Sequence, residues 1–134
     1  MKYFVIVIIF ISTIFSHDTI SVTELVDNQI EAYNSRNINA FAALYHDSVE
    51  VYNFPNKLSY RGKDILIERY GKLFKSMKKL KAVSLNRLVL GNKVVDLEET
   101  QRYEKNTKRP DRVSKVIVIY EIEDGLIRRV QFCR

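Results

Sequence analysis

Cysteine is almost missing from this chain. Cys133 stands alone at the penultimate position, so neither an intrachain disulfide nor a thiolate metal cluster can be assembled. Histidine is as scarce: His17 and His46 are the only two, which excludes a His-based metal centre. The four glycines and scattered serines form no Gly-rich phosphate loop, nucleophile elbow or Ser/His/Asp set. No cofactor is expected. A membrane-length apolar stretch is missing too. The uncharged residues 4–15 behind Lys2 fall short of the roughly 20 that a spanning helix needs. A basic start, a short apolar run and then Ser16-His17-Asp18 fit a secretory signal peptide over 1–16. The mature protein is then exported, periplasmic or secreted, and begins near His17. No cysteine adjoins the apolar run to carry a lipid, so no stable membrane anchor is expected after cleavage.

What is present is a mildly basic chain of single-domain length, 134 residues at net charge +6. Its basic residues gather in two stretches: Arg69, Lys72, Lys75, Lys78, Lys79 and Lys81, then Arg102, Lys105, Lys108, Arg109, Arg112 and Lys115. Nucleic-acid binding through single strands calls for aromatic rings interleaved with the cations. None stand there in that pattern, so both stretches read as solvated faces, and no nucleic-acid partner is expected.

The pattern along residues 17–134 divides into helices first and strands after. Ser21-Val22-Thr23-Glu24 spells a capping box, followed by Val22, Leu25, Val26, Ile30 and Tyr33 at helical spacing. Asn34 to Asn37 breaks that helix, and Asn37 caps a second with Ile38, Phe41, Leu44 and Tyr45 on one side. A strand over 49–54 ends at Pro55. A third helix covers roughly 63–77, striped by Leu66, Tyr70, Leu73, Phe74 and Met77. From residue 80 the period becomes two, and turn signals at Gly91-Asn92, 104–112 and Glu123-Asp124-Gly125 separate four strands near 80–90, 93–103, 113–122 and 126–133. Val116-Ile117-Val118-Ile119-Tyr120 lacks alternation, which predicts a central strand covered on both faces. Helices at the start and strands at the end mean an α+β domain with helices on one face of a bent sheet.

Four segments carry a family resemblance: AYNSRNINAFAALYHDSVEVYNFP (32–55), RGKDILIERYGKLF (61–74), LVLGNKVVDLEE (88–99) and IYEIEDGLIRRVQF (119–132). They resemble the SnoaL-like, ketosteroid isomerase-like group of the nuclear transport factor 2-like superfamily, over nearly all of residues 17–134. The resemblance implies a cone-shaped, curved antiparallel sheet packed against three N-terminal helices, the cystatin-like fold, with an apolar cavity open at one end. It also implies homodimers paired sheet against sheet. Ketosteroid isomerases use an aspartate base, a tyrosine and a protonated aspartic acid. The resemblance places Asn53 at the base, Gln29 at the tyrosine and Val118 at the acid. An amide offers no base near neutral pH, so the isomerase mechanism is not expected.

Two sets of candidates remain. Asp96 and Glu98 are two apart on an expected strand and share a face; inside a cavity, two close carboxylates would raise one pKa and pair an acid with a base. Outside it they would be exposed carboxylates meeting basic side chains of a neighbouring strand. Among the aromatics, most belong to the core. Tyr33, Phe54 and Tyr120, together with Asn53, Gln29 and Val118, are the expected lining of a pocket. Three functions follow: a binder of a small, mostly apolar molecule, an enzyme of another mechanism using Asp96 or Glu98 with a pocket tyrosine, or a dimerising interaction module.

Overall fold

The computed structural model describes residues 20–134; the expected signal peptide at 1–16 lies outside them. Helix α1 (Val22–Asn34) begins where the Glu24 N–H donates to Ser21 Oγ at 3.1 Å. That is the serine half of the expected capping box. Arg36, at φ 54, turns the chain, and Asn37 caps α2 (Ile38–Ala42) by accepting from the Ala40 N–H at 3.0 Å. The apolar spacing places Leu44 and Tyr45 on this helix, but it stops at Ala42. Sheet pairing takes over instead. The Leu44 carbonyl accepts from the Ile127 N–H at 2.9 Å, and Tyr45 opens β1 (Tyr45–Asn53) with its ring 5.0 Å from Phe41.

A short strand that the periodicity does not reveal, β2 (Lys57–Arg61), folds back on β1. Helix α3 (Lys63–Ser76) then covers the expected stretch and buries Leu66 and Phe74. The remaining strands are β3 (Lys79–Leu90), β4 (Lys93–Tyr103), β5 (Arg112–Glu123) and β6 (Leu126–Cys133). They form successive antiparallel hairpins, as their turn signals predict. Asp124 and Gly125 close the last one with φ of 52 and 73, the left-handed pair whose twist suits a two-residue turn.

All six strands join one curved, unclosed sheet in the order β2-β1-β6-β5-β4-β3. Its ladders are antiparallel except one: β1 and β6 run parallel, because α3 and four strands separate them and carry the chain across. The helices pack on one face, α1 against β3 and β4, α3 against β1 and β2. Asn34 at the end of α1 clamps the β3 edge, donating to the Ala82 carbonyl at 3.0 Å and accepting from the Ala82 N–H at 2.6 Å.

Residues 116–120 depart from expectation. Val116, Val118 and Tyr120 are buried under the helices, but Ile117 is exposed and Ile119 half-buried. The run is apolar on both faces, yet within one chain only the helix side is covered.

Candidate functional site

Alternation along β4 and β5 builds the site. Asp96, Glu98, Thr100 and Arg102 share the helix-facing side of β4, opposite Val118, Val116, Ser114 and Arg112 of β5. Beneath the helices this side opens into a cavity of about 440 Å³, well within the range of small-molecule sites. Its inner wall is Gln29, Tyr33, Tyr45, Tyr70, Glu98 and Tyr120, while Arg102, Arg112, Lys115 and Arg134 also line it.

Glu98 is the chemical centre. It is only 6 % exposed and accepts a hydrogen bond from the Tyr120 hydroxyl, 2.7 Å to Oε1. Desolvation dominates its acidity and pushes its pKa up to about 7; the Tyr120 bond opposes this, and the Asp96 charge adds to it. Near neutral pH this carboxyl therefore exists in both protonation states. Beside it the Gln29 amide donates to the Tyr45 hydroxyl at 3.0 Å. Burial raises the hydroxyl pKa values of Tyr45, Tyr70 and Tyr120. It raises that of Tyr33 as well, against the pull of the Arg102 guanidinium. All four phenols stay neutral at physiological pH and can donate.

Asp96 has a different part. It is fully buried and held by two bonds from Arg87, Nε to Oδ1 at 2.6 Å and Nη2 to Oδ2 at 2.8 Å. The same guanidinium donates through Nη1 to Asp27 at 2.7 Å and to the Thr23 carbonyl at 3.3 Å. The pair ties β3 and β4 to the start of α1. The basic partner on a neighbouring strand is the expected one, but the carboxylate is sealed and not exposed. It does not line the cavity.

The other sequence candidates divide in the same way. Gln29, Tyr33, Tyr120 and Glu98 line one cavity together. Asn53, Phe54 and Val118 are not among the lining residues. Tyr120 pairs with Val94 and Glu98 with Val116, so the Tyr120–Glu98 bond passes over the intervening Asp96–Val118 pair and closes the floor above it. Phe54 turns outward at 62 % exposure, its N–H donating to the Phe132 carbonyl at 2.8 Å. Asn53 ends β1 next to Phe132, which does reach the cavity; the wall at that corner is formed by Phe132. Arg102, Arg112 and Lys115 read as a solvated basic stretch in the sequence. The signal that could have placed Arg102 was its even spacing from Glu98. Among the described residues, no three His, Cys, Asp or Glu side chains cluster to hold a metal ion.

The architecture is shared with solved structures of low sequence identity. An uncharacterised cystatin-fold protein from Novosphingobium aromaticivorans is similar with a TM-score of 0.75 at 20% identity, covering 85% of this chain and 98% of that one. An NTF2-like protein of unknown function from Cytophaga hutchinsonii gives 0.67 at 19%, covering 84% and 88%. An LEH-like epoxide hydrolase from M. tuberculosis gives 0.71 at 12%, covering 84% and 80%. These likenesses concern the fold. No curated protein matches the chain. The family model described as SnoaL-like domain matches residues 26–130, from the first buried turn of α1 to Val130 on the cavity wall, and the chain belongs to that family.

Proposed function

We propose that this domain is an exported receptor for a small, mostly apolar molecule held in the cone cavity. The observation that carries the reading is the cavity itself: about 440 Å³, walled by aromatic rings and floored by hydrogen-bonding groups of which Glu98 alone is ionisable near neutral pH. Four phenols and one amide can satisfy a ligand's polar atoms without burying an unpaired charge. The test uses N-phenyl-1-naphthylamine, a neutral apolar dye that fluoresces when bound. The natural chain should bind it, and Thr100→Phe, which extends a lining side chain into the space, should abolish binding while Tm stays within a few degrees. Equal binding by both proteins, or none by the natural chain, overturns the reading.

One observation favours a second reading, that of an enzyme. Glu98 lies on the cavity floor with a pKa of about 7, where a general acid or base works best at neutral pH. A bound ligand with an acidic C–H or O–H could lose its proton to Glu98 and regain it at another position, with Tyr120 or Tyr33 donating to the oxygen that gains charge. This proton-transfer site is distinct from the isomerase set that the family resemblance would put at Asn53, Gln29 and Val118, of which only Gln29 lines the cavity. Activity that persists in Glu98→Gln would exclude it.

Assembly follows from the uncovered sheet face. Leu88, Val95 and Ile119 form one row there and Leu97, Ile117 and Cys133 the next, with Leu88 70 % and Ile117 43 % exposed. A second copy packed on this face makes the receptor a homodimer; a monomer in light scattering at tens of micromolar would remove that claim. Export is tested by N-terminal sequencing of the mature protein, which should begin near His17.

A further inference from the structure

The cavity holds more positive charge than its interior requires. Arg102 and Arg112 are direct partners across the β4–β5 ladder, an arrangement in which like charges oppose each other and destabilise the pair. Arg134 lines the same opening, its guanidinium 5.0 Å from the Phe132 ring centroid; Lys115 borders it as well, from the other face of the ladder where it stands opposite Glu99. None of the four forms an ion pair among the described residues. The carboxylates nearby in sequence are engaged elsewhere. Glu99 lies on the opposite side of β4 and accepts from the Gln101 amide at 3.2 Å, and Asp111 holds its own loop through the Glu104 and Lys105 N–H groups at 2.7 and 3.0 Å. Glu98 is the one acid in the lining, and its bond from Tyr120 turns it toward the floor.

We propose that the ligand is an organic anion, with a carboxylate or similar oxyanion set between Arg102 and Arg112 at the mouth and an apolar, ring-sized body filling the tyrosine-lined interior toward Glu98. This rests on the receptor reading and names its ligand class. Two guanidiniums offer planar forks of N–H donors to one oxyanion, and the anion removes the repulsion that the empty pair carries. The cations at the opening also draw anions in from solution. Ser114, one step further in opposite Thr100, can complete the anion's hydrogen bonds through its hydroxyl, while the Thr100 hydroxyl donates to the Ser114 carbonyl at 3.4 Å.

The experiment compares 2-naphthoate with 2-naphthamide, which share a ring system and differ in charge, as competitors of N-phenyl-1-naphthylamine at low salt. Naphthoate should compete at least roughly tenfold more strongly, as a charge-assisted pair of bonds implies, and the preference should shrink as salt is added. Arg112→Gln should cut the preference by about tenfold. Lys75→Gln, the same charge change on the exposed face of α3, should leave it intact. Equal competition by acid and amide overturns the anion inference while dye binding still supports the receptor. Loss of the preference in Lys75→Gln to the same extent overturns it too, because the effect is then general charge. Failure of the dye and both competitors to bind overturns the receptor reading and this inference together.

Discussion

Glu98 makes the stability of the fold depend on pH in a direction opposite to that of most carboxylates. In the unfolded chain its pKa is about 4.5, and in the folded protein burial holds it near 7. Between those values the native state keeps a proton that the unfolded state has released. The Glu98 contribution to stability is therefore full below pH 4.5, declines as pH rises to about 7, and stays lost above it. At ~1.4 kcal/mol per pH unit, the interval is worth about 3 kcal/mol, or on the order of 10 °C in Tm for a domain of this size. Glu98→Gln removes the titration and keeps an oxygen to accept from Tyr120. Urea unfolding of both proteins between pH 4.5 and 8.5 should give matching free energies at the acid end. Toward pH 8 the variant should become the more stable by about 3 kcal/mol. Glu50, Glu68 and Asp111 have lowered pKa values, so they lose stability only on acidification, and they do so equally in both proteins. Parallel curves across the range would refute the reasoning, as would a variant that is less stable at pH 8.

Three further outcomes are expected. Arg87→Ala leaves the buried Asp96 charge without its partner and should cost about 3–5 kcal/mol of stability in urea unfolding, whereas Arg87→Met with Asp96→Leu should recover most of it. Tyr120→Phe removes a bond that favours the Glu98 carboxylate, so the Glu98 midpoint in a carboxyl NMR titration should move upward; an unchanged or lower midpoint would contradict the assigned contact. A β,γ-unsaturated ketosteroid should not be isomerised, and Asn53→Asp should give at most a trace in a spectrophotometric assay. Asn53 stands outside the cavity lining, so an acid placed there does not come within hydrogen-bond reach of a steroid held in the cavity, as a general base must.

The fold was legible because its signals are local. Ser21 and Asn37 announce helix starts, the α3 stripe fixes one helix within a residue or so, and the turns at Gly91-Asn92 and Asp124-Gly125 set the register of two hairpins. What escaped was decided at a distance. Nothing within Lys57–Arg61 distinguishes a strand from a loop until β1 lies beside it. Leu44 and Tyr45 fit a helical stripe until the Ile127 N–H claims the Leu44 carbonyl. The apolar run at 116–120 shows that both of its faces avoid water, but not whether a helix or a second chain does the covering.

The site was legible by face and not by depth. A spacing of two correctly put Asp96 and Glu98 on one side of β4, and treated them alike. Their roles separate through partners that no local pattern contains: Arg87, nine residues back across a bulged hairpin, neutralises Asp96, while Tyr120, from the next strand, roofs that level and meets Glu98. One carboxylate becomes a strut and the other an ionisable group on a cavity floor. The same argument explains Arg102 and Arg112. A basic residue in sequence reads as solvated by default, since its side chain normally seeks water. Here β4 carries Arg102 two steps beyond Thr100 on the cavity side, and the ladder brings Arg112 opposite. Charge that would disperse on a free surface is thereby concentrated at one opening of the cavity.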